Sequence, residues 1–235
     1  MRIYFWSLLA VVSVAATSFG RPPTPVQAID ESTEVLSELE TIKMKGIPPK
    51  LMDEAKAIAI IPNTVKVGFV FGGRVGHGLV MTKNDKGEWS DPTFITLGGA
   101  SVGFQAGISS TDVVLVFKKK DTLEKVLAGK GKLTLGADAA VAAGPLGRQA
   151  AAATDGKLEA EIYSYSRSRG LFAGVSLDGA ALMHDKDNTD MFKEDQRAST
   201  AKALVTLKNK LVEISKEAPA APPPPAAPTA PPVRP

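Results

Sequence analysis

The stretch from Tyr163 to Gly179, YSYSRSRGLFAGVSLDG, gathers residue types that can do chemistry: serine hydroxyls, two arginines and a carboxylate. A serine nucleophile would need GxSxG at a strand-to-helix turn, with a histidine to take its proton. Gly174-Val175-Ser176-Leu177-Asp178-Gly179 carries one residue too many and lies between strand-like runs. The chain has two histidines, His77 in a glycine-rich hairpin and His184 in a polar turn. No catalytic residue is assigned on this pattern. The arginines point to different chemistry. Arg167 and Arg169 are two apart, so on a strand both would share a face, and guanidinium groups match phosphate or carboxylate bidentately. Lys118, Lys119, Lys120 and Lys125, with Lys130 and Lys132 against Asp121 and Glu124, make a second basic cluster. Both groups are candidates for binding an anion. The competing reading is a solvated edge whose charges discourage strand pairing.

Other motifs carry less. GGRVGHG, Gly72 to Gly78, is neither GxGxxG before a helix nor a loop ending in Gly-Lys-Ser/Thr, and the residues after it continue as a strand, so a glycine-bent hairpin explains it. Gly99, Gly103 and Gly107 have small-xxx-small spacing, but Ser101 and Gln105 interrupt a segment too short to cross a bilayer. His184-Asp185-Lys186-Asp187-Asn188-Thr189-Asp190 partly mimics a calcium loop. Asp190 stands where glycine is wanted and Gln196 where the bidentate glutamate belongs, so a solvated turn before the last helix is expected and neither metal nor cofactor is assigned.

The elements that must position these residues follow from periodicity. Asp30 to Lys45 places Val35, Leu36, Leu39 and Ile42 on one stripe, predicting an amphipathic helix from Ile29 to Lys45, closed by Gly46 and stopped by Pro48-Pro49. A short helix through Leu51, Met52 and Ala55 can follow. From Lys56 onward short apolar runs alternate with glycine-rich turns: Val65, Val67, Phe69 and Phe71 against Lys66, Gly68, Val70 and Gly72 is a strand with one buried face. Further strands are expected to Phe117, a short helix ending at Gly129, more strands to about Leu182, and a last helix from Asp195 to Lys216. Helices at both ends of a run of strands predict an α+β fold. The glycines suit a strongly curved, barrel-like antiparallel β-sheet packed with the N- and C-terminal amphipathic helices.

At the amino end, one arginine followed by an apolar run from Ile3 to about Thr17 has the pattern of an export signal, too short to span a bilayer comfortably. Val26-Gln27-Ala28 is the expected cleavage site, with Ala16-Thr17-Ser18 as the alternative, which divides the chain into a signal peptide 1–28, a domain 29–217 and a tail 218–235. Cleavage after Ala28 removes Arg2 and Arg21 and lowers the formal charge from +3 to +1, so nucleic acid is not an expected partner. With no cysteine there is neither a disulfide nor a thiolate metal site. Ala218 to Pro235 holds nine of the 17 prolines and reads as an extended, disordered spacer, or a peptide that docks an envelope protein.

YSYSRSRGLFAGVSLDGAAL resembles the signature of the SYLF-domain family. AIAIIPNTVKVGFVFGGRVGHGLVMT, Gly87-Glu88-Trp89-Ser90-Asp91-Pro92, GGASVGFQAGISSTDVVLVF and Ala143-Gly144-Pro145-Leu146-Gly147 are similar to the family's preceding blocks, in order, so the likeness runs from about Leu36 to Phe192. The resemblance implies a non-enzymatic protein. Eukaryotic members bind phosphoinositide membranes, partly through an N-terminal amphipathic helix, and some bind actin; exported bacterial members are envelope proteins. For this chain it implies a periplasmic or secreted domain that binds anionic phospholipid or another anionic envelope component, with Lys118, Lys119, Lys120, Lys125, Arg167 and Arg169 as the contact residues and actin only as a family label. An interaction protein docked or spaced by its proline-rich tail is the alternative.

Overall fold

Thr24-Pro25-Val26-Gln27 opens the first helix as a capping box, in which the Thr24 N–H donates to Gln27 Oε1 at 2.9 Å and the Gln27 N–H reaches back to Thr24 Oγ1 at 3.5 Å. Pro25 occupies the first helical position, where its missing N–H costs nothing. In this computed structural model, which describes residues 22–41, 47–68, 71–102, 107–145, 159–168, 171–195 and 197–216, helix α1 therefore spans Pro25–Thr41 and starts four residues before the expected Ile29. The apolar segment at the amino end, the proline-rich tail, Arg169 and Gln196 lie outside the described residues.

The order continues as α2 (Pro49–Glu54), β1 (Ala57–Gly68), β2 (Phe71–Thr82), β3 (Thr93–Val102), β4 (Gly107–Phe117), a 3-10 turn at Asp121–Leu123 running into α3 (Glu124–Leu127), β5 (Lys132–Thr134) and β6 (Val141–Ala143). It ends with β7 (Ile162–Ser168), β8 (Leu171–Gly174), β9 (Ala181–His184), α4 (Lys186–Glu194) and α5 (Ala198–Lys216). The strands form one strongly curled sheet in the order β5-β9-β3-β2-β1-β4-β7-β6, with β8 also on β7. Every pairing is antiparallel except β6 with β7, so the sheet is mixed rather than wholly antiparallel.

Both faces are buried. On the outer face Ile58, Ile60, Leu79, Met81, Phe94, Val114, Val116, Tyr163 and Tyr165 meet Ile29, Val35, Leu36 and Leu39 of α1, Leu51 and Met52 of α2, and Leu207 and Leu211 of α5. On the inner face Ile61, Val80, Ile95, Leu97, Val113, Leu115 and Phe117 are closed over by Leu123 and Val126, by Leu133 and Leu135, and by Leu177 and Leu182. Burial of two faces explains the near-continuous apolar runs of β1 and β4.

The residues from His184 to Asp190 differ from expectation. His184 ends β9, and its Nε2 donates to Thr189 Oγ1 at 3.1 Å, because the Thr189 hydroxyl hydrogen already goes to the Asp185 carbonyl. Asp185 caps helix α4 by accepting the Asn188 N–H at 3.1 Å, and Asp190 pairs with Lys186. What partly resembled a calcium loop is the start of a helix, with Asp185 engaged by the cap and Asp190 by lysine. The final helical region is accordingly two helices, broken at Asp195, whose carboxyl is held far below the usual range by Arg197 and Thr200.

Candidate functional site

The local feature that builds the site is a bulge in β1. Its register with β4 passes from Ile61↔Val113 to Thr64↔Thr111, so β1 spends three residues where β4 spends two. Asn63 takes up the extra residue with φ 49°, a left-handed conformation that asparagine tolerates, and its N–H is held by Asp112 Oδ1 at 2.9 Å. The consequence is a change of face. Without the bulge Val65 and Val67 would follow Ile61 onto the inner side of the curl; with it, Thr64 and Lys66 do.

Lys66 sits directly opposite Arg74 on β2 and opposite Ser109 on β4. These three, with Thr64, Thr111, Ser166 of β7 and Ser176, line an inner-face cavity of about 270 Å³ whose apolar wall is Val113, Val175 and Leu177. Thr64 and Ser176 have committed their hydroxyl hydrogens to the Ile61 carbonyl and the Asp178 carboxylate. The side-chain hydroxyls of Ser109, Thr111 and Ser166 have no hydrogen-bond partner, and Lys66 and Arg74 no carboxylate partner, among the described residues. Burial lowers the pKa of Arg74 from the ordinary arginine value, which means that the site works against its charge. Like charges directly opposite on neighbouring strands destabilise a sheet. A cavity with two opposed cations and three unengaged hydroxyls is suited to hold an oxyanion, which would relieve that repulsion and take the free donors.

The residues chosen from sequence do not gather here. Lys118 pairs with Glu54 at 3.5 Å and Lys119 with Glu161 at 2.7 Å, while Lys120 and Lys125 are exposed to solvent. All four follow Phe117, at the end of β4 away from Ser109. Arg167 points to the outer face, where its Nε donates to Asp112 Oδ2 at 2.5 Å and its Nη1 pairs with Glu38 of α1. It is a link between sheet and helix, already filled by protein carboxylates, and not an open anion site. The hydroxyls beside it are structural too: Ser164 donates towards the Ala142 and Val175 carbonyls and ties β7 to β6 and to the chain after β8. Ser176 meets Asp178 and no histidine, and His77 faces Thr96 and Asp185 instead. Ile29, Val35, Leu36 and Leu39 of α1 are consumed by the outer core, so among the described residues that helix presents no free apolar face. Lys66 and Arg74 were missed because one was read as an outward strand residue and the other as part of a glycine-rich turn. A signal was present: they are equidistant from Val70, so any hairpin centred there pairs them.

A family model described as "Las17-binding protein actin regulator" matches residues 98–226. An SH3 domain-containing protein of Schizosaccharomyces pombe is 40% identical over 163 residues, covering 68% of this chain and 37% of its own length. LAS seventeen-binding protein 3 of Saccharomyces cerevisiae is 39% identical over 162 residues, covering 68% of this chain and 34% of its own. SH3 domain-containing YSC84-like protein 1 of Xenopus laevis is 34% identical over 186 residues, 75% of this chain and 55% of its own. The chain thus spans about a third to about half of these relatives, whose names are those of binding proteins rather than enzymes. No solved structure matches the chain. With more than half of its length matched by that family model, this chain belongs to the Ysc84, or SYLF-domain, family.

Proposed function

We propose that the protein is a non-enzymatic binding domain that engages anionic phospholipid, or another anionic envelope component, through the inner-face cavity between Lys66 and Arg74. The observation that carries this is the opposition of two cations without described carboxylate partners, beside three hydroxyls that remain free to donate. The exposed lysines Lys120 and Lys125 add general attraction to an anionic surface, but two cations converging on one cavity can grip a single headgroup. Near such a surface a lysine or arginine contributes about 1 kcal/mol, equivalent to about fivefold in affinity. Arg74→Gln and Lys66→Gln should each weaken sedimentation of the purified protein with vesicles of phosphatidylcholine and phosphatidylserine by at least that factor, more so at low salt. Lys120→Gln should weaken it by less than twofold. Equal losses for Lys120→Gln and Arg74→Gln would remove the cavity from the account and leave only diffuse attraction.

In the same reading the amino-terminal apolar segment directs export to the periplasm or medium, and the tail from Ala218 serves as an extended spacer. Removal of the signal after Ala28 would cut away the first turn of α1, with its capping box and the buried Ala28. Cleavage at Ala16-Thr17-Ser18 leaves that turn whole and is the processing this reading favours. Amino-terminal sequencing of the exported protein should then begin at Phe19; a start at Ile29 would show that the helix forms without its cap. An actin role enters only through the family description.

A further inference from the structure

The β1–β2 hairpin and the neighbouring ends of β3 and β4, which flank it, lie side by side at one extremity of the sheet. Gly68 of β1 pairs with Gly72 of β2 and Gly107 of β4, and Phe71 of β2 pairs with Val102 of β3. No charged residue occurs between Lys66 and Arg74, which enclose VGFVFGG, or between Asp91 and Asp112. Ile108 stands at this extremity with 75% of its surface exposed, more than Val205 at 57%, Met191 at 52% or Met183 at 39%, which are scattered over other elements. Its cross-strand partner is Val67, and the next pair inward is Lys66 with Ser109. One residue of strand is about 3.3 Å, so the cations lie just behind Val67, Gly68, Gly72, Gly107 and Ile108, which are uncharged. Apolar groups that sit in a bilayer interface enter by about 5–10 Å, which would leave Lys66 and Arg74 among the headgroups.

Resting on the anionic-lipid reading above, we infer that the protein meets an anionic bilayer with this hairpin end of the sheet, Ile108 entering the interface and Lys66 and Arg74 at headgroup level, while the Lys118–Lys120 end points away. The charge distribution favours a bilayer over a second copy of the chain, because two such ends would bring four cations together.

The absence of cysteine permits a direct test. Ile108→Cys and Lys120→Cys, each labelled with an environment-sensitive fluorophore, are mixed with vesicles of phosphatidylcholine alone or with phosphatidylserine. With the anionic vesicles the probe at 108 should shift to the blue and be shielded from aqueous iodide, and the probe at 120 should not. Unlabelled Ile108→Ser should bind these vesicles about tenfold more weakly, since burying an isoleucine contributes about 1.5–3 kcal/mol when complete, with an unchanged melting temperature. A shift at 120 without one at 108, while sedimentation with anionic vesicles persists, overturns the orientation and leaves the headgroup reading standing. A shift at 108 in concentrated protein without lipid identifies the surface as a contact between copies and also overturns it. Failure of the unsubstituted protein to sediment with any vesicle removes both readings.

Discussion

Gly78→Ala should destabilise the protein by about 3 kcal/mol, at the upper end of the usual cost of overpacking, and lower its melting temperature by on the order of 10 °C for a chain of this size. An added Cβ would lie 2.1 Å from the Ile60 carbonyl oxygen and 2.7 Å from Ile61 Cα. Both are backbone atoms at the entrance to the β1 bulge, held in the middle of the sheet by pairing to β2 and β4. They cannot move aside as a flexible side chain could. The same substitution five residues earlier is the control: at Gly73 the nearest atom to an added Cβ is 3.8 Å away, an ordinary contact. Gly73→Ala should therefore melt within about 1 kcal/mol of the parent, with a gain possible from reduced freedom of the unfolded chain. Thermal melts of the two variants check the pair. If Gly78→Ala melts like Gly73→Ala, the bulge does not press on β2, and the mechanism that turns Lys66 inward is wrong.

Arg167→Ala should be comparably costly, about 3 kcal/mol, because it strips the cation from a buried pair. Asp112 has 8% of its side chain exposed and Arg167 18%, and Arg167 also reaches Glu38 on α1. Burial is the largest influence on Asp112 and raises its pKa, Glu34 adding to it and the Asn63 N–H opposing. Without the arginine the buried carboxylate loses its cation and is raised further. A folded-state pKa above the unfolded one means that the native state binds the extra proton in that range, so stability falls as pH rises through it and is regained as pH falls. The deficit of Arg167→Ala should consequently shrink as the pH is lowered from 7 towards the ordinary aspartate value of 3.8. Adding Asp112→Asn, which removes the stranded charge, should recover part of the loss at pH 7. Chemical denaturation across pH measures both effects. A deficit that is flat with pH and unrelieved by Asp112→Asn would mean that Arg167 acts by packing alone.

These two sites show where sequence and structure part. The stripe of Val35, Leu36 and Leu39 was legible as a helix because its period is local, and the structure buries those residues together. The start of that helix was legible in principle, since Thr24 and Gln27 are a capping box, but the small residues around Ala28 also satisfy a signal peptidase. His184 to Asp190 was read as a solvated turn because its residues are polar and charged, yet Lys186–Glu194 is a helix of its own with Asp185 as its cap. The hydrogen bond from the Asn188 N–H to Asp185 marks where that helix begins.

By itself the sequence determined the fold class, the family and the helical stripes, because these depend on residue type and on periods of two and 3.6 that recur within a few neighbours. It also determined that the chain is free of thiols. What the tertiary structure decided is which cations remain available. Arg167 and Lys118 are arginine and lysine in a basic stretch, yet Asp112, Glu38 and Glu54 claim them from 55, 129 and 64 residues away. Lys66 and Arg74 sit among glycines and valines, yet one extra residue in β1 turns them together into a cavity. Charge compensation and register are set by partners distant along the chain, so no window on the sequence contains the information that separates a filled arginine from an open one.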